Sequence, residues 1–394
     1  MSTIYQQVQP VCPIVFGVDT LEELPSYIKS YHGTRVFCIC DPGIRSTTII
    51  DSLTSSLQNQ GIFYTIFDKV VPDAPDHIIN AAALEARNSH SDLVIGIGGG
   101  SSMDTAKAVT VLLENPGNIS DYYVKPATEF STRLPLILLP TSSGTGSEVT
   151  GLCVIHDTKT NTKIPVYRSA NLAIVDPKLT LSAPPAVTAA SAFDAMSHAL
   201  EAYTSKYHTD KVDTLALQAI QLIAENIITA YQDGTDITAR ENLAFASNIA
   251  GIAFNEVSVH IGHAIAHELG LQFHLSHGVA CALTLTTVLH DIFSVDPTRG
   301  ITIATIFGYN PTLNNESPEN YLQTKIHNLL VATDIPSLSA RGITLEQALA
   351  CATGAIRIMA FLDASPVKIT KTHMEHAIPF YVRKIIYKPL SFYF

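Results

Sequence analysis

A buried strand that ends in three glycines and opens at once into a helix constrains this chain more than any other stretch. In DLVIGIGGGSSMDTAKAV, the apolar run 93–97 has the length and composition of a buried strand, and Ser101 and Ser102 begin a helix that continues through Lys107 to Val111. Gly98, Gly99 and Gly100 at the junction let a backbone come close to a pyrophosphate, whose charge the first amides and the helix dipole stabilise. The same serines can instead simply cap the helix, with Asp104 well placed in its first turn. Because the pattern is neither G-x-G-x-x-G nor a Walker loop, it needs a second signal before it means nucleotide.

That signal follows. The apolar run PLILLP (135–140) leads into TSSGTGSEVT (141–150), a loop of glycines and hydroxyl residues that includes Thr141, Ser142 and Thr145. Two such loops after two apolar strands fit one ligand lying across the strand ends of an open α/β sheet. The segment does not read G-x-S-x-G, so no serine nucleophile is assigned. Upstream, RVFCIC (35–40) is a short buried strand that stops at Asp41, Pro42 and Gly43. An acid in that place can accept hydrogen bonds from a ribose diol and repels a 2′-phosphate, a hint of NAD over NADP, although Asp-Pro-Gly can equally be a plain turn. A run at 62–67, the loop VVPDAPD, a helix over 77–88 and short strands around 153–156, 163–167 and 172–176 complete an α/β half. Lys163 is a candidate partner for a cofactor phosphate or ribose.

Pro177, Pro184 and Pro185 close that half, and beyond them apolar residues recur at helical spacing over 187–204, 210–232, 237–255, 259–269 and 277–293. The expected division is 1–182, an α/β dinucleotide-binding domain, and 183–394, a helical metal-binding and catalytic domain. Within the helical half, SAFDAMSHALEAY sets Asp194 and His198 four residues apart, and HIGHAIAHELGLQFHLSHG carries His260, His263, His267, His274 and His277. Four residues make about 1.1 helical turns, so Asp194 and His198 share a face, as do His263 and His267. Two such faces, with His277 on the turn before the next apolar run, can surround one cation. One carboxylate with several imidazoles suits Fe2+ or Zn2+ better than Ca2+. A single D-x-x-x-H pair is more commonly a cap or a surface pair. Here the five histidines sit among apolar residues beside Gly262, Gly270 and Gly278, where a solvated face would carry Lys and Glu. Spacing alone does not say which of the five are ligands.

At 394 residues the chain exceeds one ordinary core, which agrees with two domains. Only 15% of residues are charged against 46% hydrophobic, a balance that implies a large buried interior and a buried oligomer surface. A net charge of −11 with no run of Lys or Arg argues against nucleic acid as a partner. The start MSTIYQQVQPVCPIVFG lacks the basic end and apolar core of a signal peptide, and no segment offers about 20 uninterrupted apolar residues for a membrane span. The expectation is a cytoplasmic protein with no membrane partner. The six cysteines show no C-x-x-C spacing and read as reduced core residues.

Together these motifs resemble the iron-containing (group III) alcohol dehydrogenase family. GGGSSMDTAKA is similar to its GGGS-x-x-D-x-x-K signature, PTSSGTGSEVT to its P-T-x-x-G-T-G-S-E loop, and DAMSHALEAY with GHAIAHELGLQFHLSHG to its two metal-binding motifs. HAIAHELGLQFHLSHG and CVIHDTKTNTKIPV look most like the propanol dehydrogenase and aldehyde–alcohol dehydrogenase branch. The resemblance implies a Rossmann-like NAD-binding domain followed by an all-α metal-binding domain, the dehydroquinate synthase-like architecture. It implies Fe2+, with Zn2+ as the second candidate, held by Asp194, His198, His263 and His277, and His267 as a proton-relay group. It leaves His260 and His274 as packed or polar neighbours, and it carries NAD contacts onto Asp41, Gly99, Gly100, Ser101, Thr141, Ser142, Thr145 and Lys163. It further implies a homodimer or larger assembly that oxidises short primary alcohols or reduces the aldehydes, with Phe254, Gly151 and Leu152 as a candidate apolar wall. Competing readings are a diol- or hydroxyaldehyde-specific reductase, a dehydroquinate synthase-like lyase, and a non-catalytic relative. The chain departs from the family pattern at Ser191-Ala192-Phe193, at Ser276, and at Glu268, which stands beside His267 where it would raise that ring's basicity. Beyond Lys371-Thr372-His373-Met374-Glu375, YVRKIIYKPLSFYF (381–394) stands in place of the family's usual C-terminal segment.

Overall fold

The structure, a computed structural model, describes residues 10–357 and 359–375. The unusual C-terminal stretch beyond Glu375 lies outside the described residues. By its own contacts the chain forms two compact units: one runs up to Pro184 and includes Gly234–Asn255, and the other comprises Pro185–Asp233 and the residues from Glu256 onward. The first break falls at the Pro184-Pro185 pair. The segment Gly234–Asn255, read from sequence as part of the helical half, packs instead with the first unit, and its contacts explain why. Gly251 lies so close to Gly146 that a Cβ on it would be 2.9 Å from the Gly146 Cα. Asn248 Nδ2 donates to Glu148 Oε1 at 3.0 Å, and Phe245 meets Phe16 edge to face at 5.4 Å.

Among the described residues, unit 1 holds eight strands: β1 (Ile14–Phe16), β2 (Arg35–Ile39), β3 (Phe63–Phe67), β4 (Leu93–Gly98), β5 (Leu136–Pro140), β6 (Leu152–Asp157), β7 (Thr162–Tyr167) and β8 (Leu172–Val175). β6 and β7 form an antiparallel hairpin, and the other six form a parallel sheet in the order β1-β8-β5-β4-β2-β3. Residues of β2, β4 and β5 alternate between two cores. Phe37, Ile39, Val94, Leu136 and Leu138 enter one, and Val36, Cys38, Leu93, Ile95, Ile137 and Leu139 enter the other. A parallel sheet covered on both faces needs apolar residues at every position, which is why these strands read as continuous apolar runs. Chain order moves outward from β2 to β3 on one side and from β4 through β5 to β8 on the other, so it reverses between β2 and β4. Open α/β sheets bind ligands in the crevice beyond the strand ends at such a reversal. β1, three half-buried residues paired with β8, is too short to give a periodic signal in the sequence.

Unit 2 is helical, built on Pro185–Thr204, Asp210–Gln232, Ile261–Phe273, His277–Val295, Pro297–Ile306, Pro318–Ala332 and Leu345–Ala355. Caps fix several starts: Thr209 Oγ1 accepts from Val212 N, and Asp296 accepts from Arg299 N just before Pro297. Helix Pro185–Thr204 is rich in alanine and buried over nearly all of its length. Alanine lets neighbours approach its axis, and helix His277–Val295 does so. A Cβ on Gly278 would lie 2.0 Å from the Ala190 carbonyl oxygen. Among the described residues, His277–Val295 is the one helix long and apolar enough to cross a membrane, but it is mostly buried as the core helix of this unit.

Candidate metal centre and cofactor cradle

Helix Pro185–Thr204 presents Asp194 and His198 one turn apart, helix Ile261–Phe273 presents His263 and His267 one turn apart, and His277 opens helix His277–Val295. The fold brings three of the imidazoles onto one atom. Asp194 Oδ1 lies 3.5 Å from His277 Nε2, 3.8 Å from His263 Nε2 and 4.0 Å from His198 Nε2. These spacings exceed a good hydrogen bond, and Asp194 Oδ1, though buried, has no hydrogen-bond partner. They match the edges of a coordination shell: donors about 2.1 Å from one ion in tetrahedral array stand about 3.4 Å apart. An orphaned buried carboxylate oxygen facing three ring nitrogens fits a divalent cation of the Fe2+ or Zn2+ kind. The rings of His198 and His263 stack at 4.6 Å.

Glu201 prepares His263. It is fully buried on the face that carries Asp194 and His198, and its Oε1 accepts from His263 N at 3.0 Å and lies 2.6 Å from His263 Nδ1. A carboxylate only accepts, so Nδ1 carries the proton and Nε2 is the nitrogen left to bind an ion. His260 N donates to Glu201 Oε2. Burial pushes the Glu201 carboxyl up, but the His263 and His260 rings and these N–H donors outweigh it and hold the group well below the usual range. His260 itself, fully buried with Nε2 2.8 Å from Thr204 Oγ1, is pushed down by burial. His267 is nearly buried, 5.3 Å from the His277 ring and 5.2 Å from Phe361. His274 takes a left-handed conformation (φ 54°) just past the end of its helix, where it is exposed. Glu268, next to His267 in sequence, has its carboxylate against helix Leu345–Ala355: a Cβ on Gly354 would lie 2.0 Å from Glu268 Oε2.

In unit 1 seven of the eight candidate cofactor residues lie in the loops and helix starts that follow β2, β4 and β5, and Lys163 comes from the β6–β7 hairpin. Gly98 (φ 145°) turns the chain out of β4, and Thr141 N donates to its carbonyl at 3.0 Å, joining the two glycine-rich loops. Ser142 and Thr145 lie against Gly99 and Gly100, where a Cβ would stand 3.4 Å from Ser142 Oγ and 2.7 Å from Thr145 Cγ2. Gly99 immediately precedes helix Gly100–Glu114, so first-turn amides face this cradle. Ser101 does not cap that helix; its Oγ accepts from Asp73 N at 3.0 Å, and the Asp73 carboxylate pairs with Lys163 Nζ at 2.7 Å. Asp41 accepts from Ile44 N at 3.1 Å, so it does cap the turn after β2, while its other oxygen lies 3.4 Å from Ser102 Oγ at the reversal.

Sequence reasoning missed two residues beside the candidate metal centre. Glu201 follows Asp194 by seven residues and His198 by three, a helical stripe in an apolar segment that marks it as facing the same way. Cys281, grouped with the other cysteines as core, stands one turn after His277, and its sulfur is 3.7 Å from both His263 Nε2 and His277 Nε2. Burial raises the thiols of Cys38, Cys40 and Cys351 to about 12, as expected of inert core cysteines.

A chain with a dinucleotide cradle on a parallel sheet and a borderline-metal cluster among helices falls in the class of metal-dependent, dinucleotide-linked oxidoreductases. It belongs, more narrowly, to the iron-containing alcohol dehydrogenase family: residues 13–177 match that family's description, and residues 188–379 match the C-terminal part of the Fe-containing alcohol dehydrogenase family. It is 38% identical to a long-chain-alcohol dehydrogenase of Geobacillus thermodenitrificans, over 77% of this chain and 78% of the relative. It is 36% identical to the 1-propanol dehydrogenase of Salmonella typhimurium, over 66% of this chain and 68% of the relative. Its fold matches the sulfoacetaldehyde reductase of Bifidobacterium kashiwanohense, solved in complex with NAD+, with a TM-score of 0.86 at 27% identity, over 96% of this chain and 99% of that one. The chain is therefore an NAD-linked alcohol dehydrogenase of the iron-containing kind.

Proposed function

We propose that this enzyme interconverts short unbranched primary alcohols and their aldehydes by hydride transfer to and from NAD, with Asp194, His198, His263 and His277 as metal ligands. The observation that carries the reading is the buried, unpartnered Asp194 Oδ1 facing three imidazole Nε2 atoms at 3.5 to 4.0 Å. When bound there, a divalent ion supplies Lewis acidity toward the substrate oxygen. The protein's own groups do the rest. Gly99, Gly100 and Ser101, with Thr141, Ser142 and Thr145, cradle the pyrophosphate at a helix N-terminus. Asp41 accepts from the ribose diol, and Lys163, already paired with Asp73, is the cation at hand for a ribose or phosphate oxygen. Glu201 positions His263, and His267 takes the hydroxyl proton of the alcohol on oxidation and returns it on reduction.

Short, unbranched substrates are supported by apolar surfaces within each unit. Phe361 packs on His267, and Gly151 N is tied to Asn255 Oδ1 at 2.9 Å, which sets Gly151 and Leu152 near the helix that carries Phe254. The reading extends to a cytoplasmic homodimer, which the family resemblance supports and light scattering tests.

The test is NADH oxidation at neutral pH by protein reconstituted anaerobically with Fe2+ or Zn2+, against two- to four-carbon aldehydes, lactaldehyde and dihydroxyacetone. Chelator-stripped protein is the control. Metal-dependent turnover highest with unbranched aldehydes is expected. A preference for lactaldehyde or dihydroxyacetone would replace the substrate class, and turnover equal in the stripped protein would refute the metal assignment.

A further inference from the structure

We propose that Cys281 is itself a metal ligand in this chain, and that its sulfur shifts the site's preference toward zinc over iron. The inference rests on the metal reading above. Cys281 is fully buried, and its Sγ lies 3.7 Å from both His263 Nε2 and His277 Nε2. An ion bonded to nitrogen at about 2.1 Å and to thiolate at about 2.3 Å, at the roughly 90–120° angles of a five-donor shell, holds the two about 3.1–3.8 Å apart. Each Cys281 spacing therefore fits the edge of a shared coordination shell.

A second observation points to the same centre. Asp194 Oδ1, buried and without a hydrogen-bond partner, completes with Cys281, His263 and His277 a set of donor atoms that all lie within 4.8 Å of one another. His198 is outside that tightest set, although its Nε2 is 4.0 Å from Asp194 Oδ1. Cys281 thus makes a fifth donor beside the four the family motif provides. Coordination replaces the thiol proton, which passes to solvent, and no electron changes hands. A soft thiolate selects Zn2+ over the harder Fe2+, so a cysteine at this place in the helix sets metal choice without touching Asp194 or any histidine.

Stripped protein titrated anaerobically with Co2+ gives a readout independent of turnover. The wild-type protein is expected to show the near-ultraviolet sulfur-to-cobalt charge-transfer band together with the weak visible bands of bound cobalt. Cys281→Ser and Cys281→Ala should keep the visible bands, lose the near-ultraviolet band, and reduce the zinc-over-iron preference in competition on the order of ten-fold. Visible bands without a charge-transfer band in the wild type, or a band that survives both substitutions, would overturn the role of Cys281 and leave the metal site standing. No cobalt bands at all in the wild type would overturn the metal reading itself. Circular dichroism checks each variant, and serine, the closest in shape, carries the comparison if the alanine variant unfolds.

Discussion

Gly278→Ala isolates how tightly the helix pair sets the metal cluster. Gly278 follows His277 in the first turn of helix His277–Val295, and a Cβ there would lie 2.0 Å from the carbonyl oxygen of Ala190, 2.5 Å from its carbon and 3.2 Å from its Cα. All three are backbone atoms, so no rotamer change relieves the clash. Restoring the 3.4 Å of ordinary contact from 2.0 Å moves the two helices apart by about 1.4 Å at this point. Asp194 is one turn beyond Ala190, and His277 adjoins Gly278. The same movement therefore opens the 3.5 Å Asp194 Oδ1 to His277 Nε2 spacing toward about 5 Å, too wide for one ion with bonds near 2.1 Å. Overpacking of this kind costs about 1–3 kcal/mol, against about 1 kcal/mol that alanine gains over glycine in a helix. The assay is urea unfolding with and without bound metal, together with metal content after dialysis. Weaker metal retention, on the order of ten-fold or more, and a smaller stabilisation by metal are expected. A variant that keeps its metal and is at least as stable as wild type would refute the argument that this contact fixes the site.

Two further predictions concern groups away from the metal. Lys107 Nζ is buried and donates to Ser147 O at 2.6 Å, Leu152 O at 2.7 Å and both Thr150 oxygens at 3.0 Å, so it fastens the 141–150 loop to β6. Lys107→Met removes the charged donor these oxygens share, and a loss of about 1–3 kcal/mol in urea unfolding with weaker NADH binding is expected; unchanged NADH affinity would show that the loop does not need this anchor. His373 Nε2 lies 3.1 Å from the buried Asp291 carboxylate, and that hydrogen bond outweighs burial to raise the imidazole above its ordinary 6.5. A raised folded value stabilises fully below about pH 6.5 and loses its contribution as pH rises through that value. The stability gap between wild type and His373→Gln should therefore shrink as pH is raised, and a gap independent of pH would refute the pairing.

The sheet was legible because its strands are buried on both faces. VFCI, LVIGI and LILL are continuous apolar runs, each ending where a functional loop begins. The motif helices were legible too, since four-residue spacing in an apolar segment leaves few interpretations for Asp194, His198, His263 and His267. Other features depend on contacts that local periodicity does not encode. Gly234–Asn255 has the same helical pattern as its neighbours, and only the meeting of Gly251 with Gly146 and of Asn248 with Glu148 assigns it to the first unit. The approach of Glu268 to Gly354, on a helix distant in the chain, is likewise invisible in local pattern. Cys281 reads as core because it is core; its closeness to His263 Nε2 arises only when that residue arrives from another helix.

Two buried carboxylates on one helix face show how the site divides its work. Asp194 and Glu201 lie seven residues apart on helix Pro185–Thr204, both withdrawn from solvent. Burying a charge is costly unless it is paired or coordinates a metal. Glu201 meets that requirement within the protein, through the two backbone N–H groups and the Nδ1 proton it accepts, and so it holds its shape with or without an ion. Asp194 leaves Oδ1 without a hydrogen bond in the midst of three imidazole nitrogens, an arrangement that becomes favourable when a cation occupies the centre. The satisfied carboxylate fixes the tautomer and angle of His263 in advance, and the unsatisfied one contributes the negative charge that draws the ion in. On this reading, affinity and geometry are carried by different residues of one stripe, so removing Glu201 would loosen a site that still attracts metal, whereas removing Asp194 would leave a well-shaped site that does not.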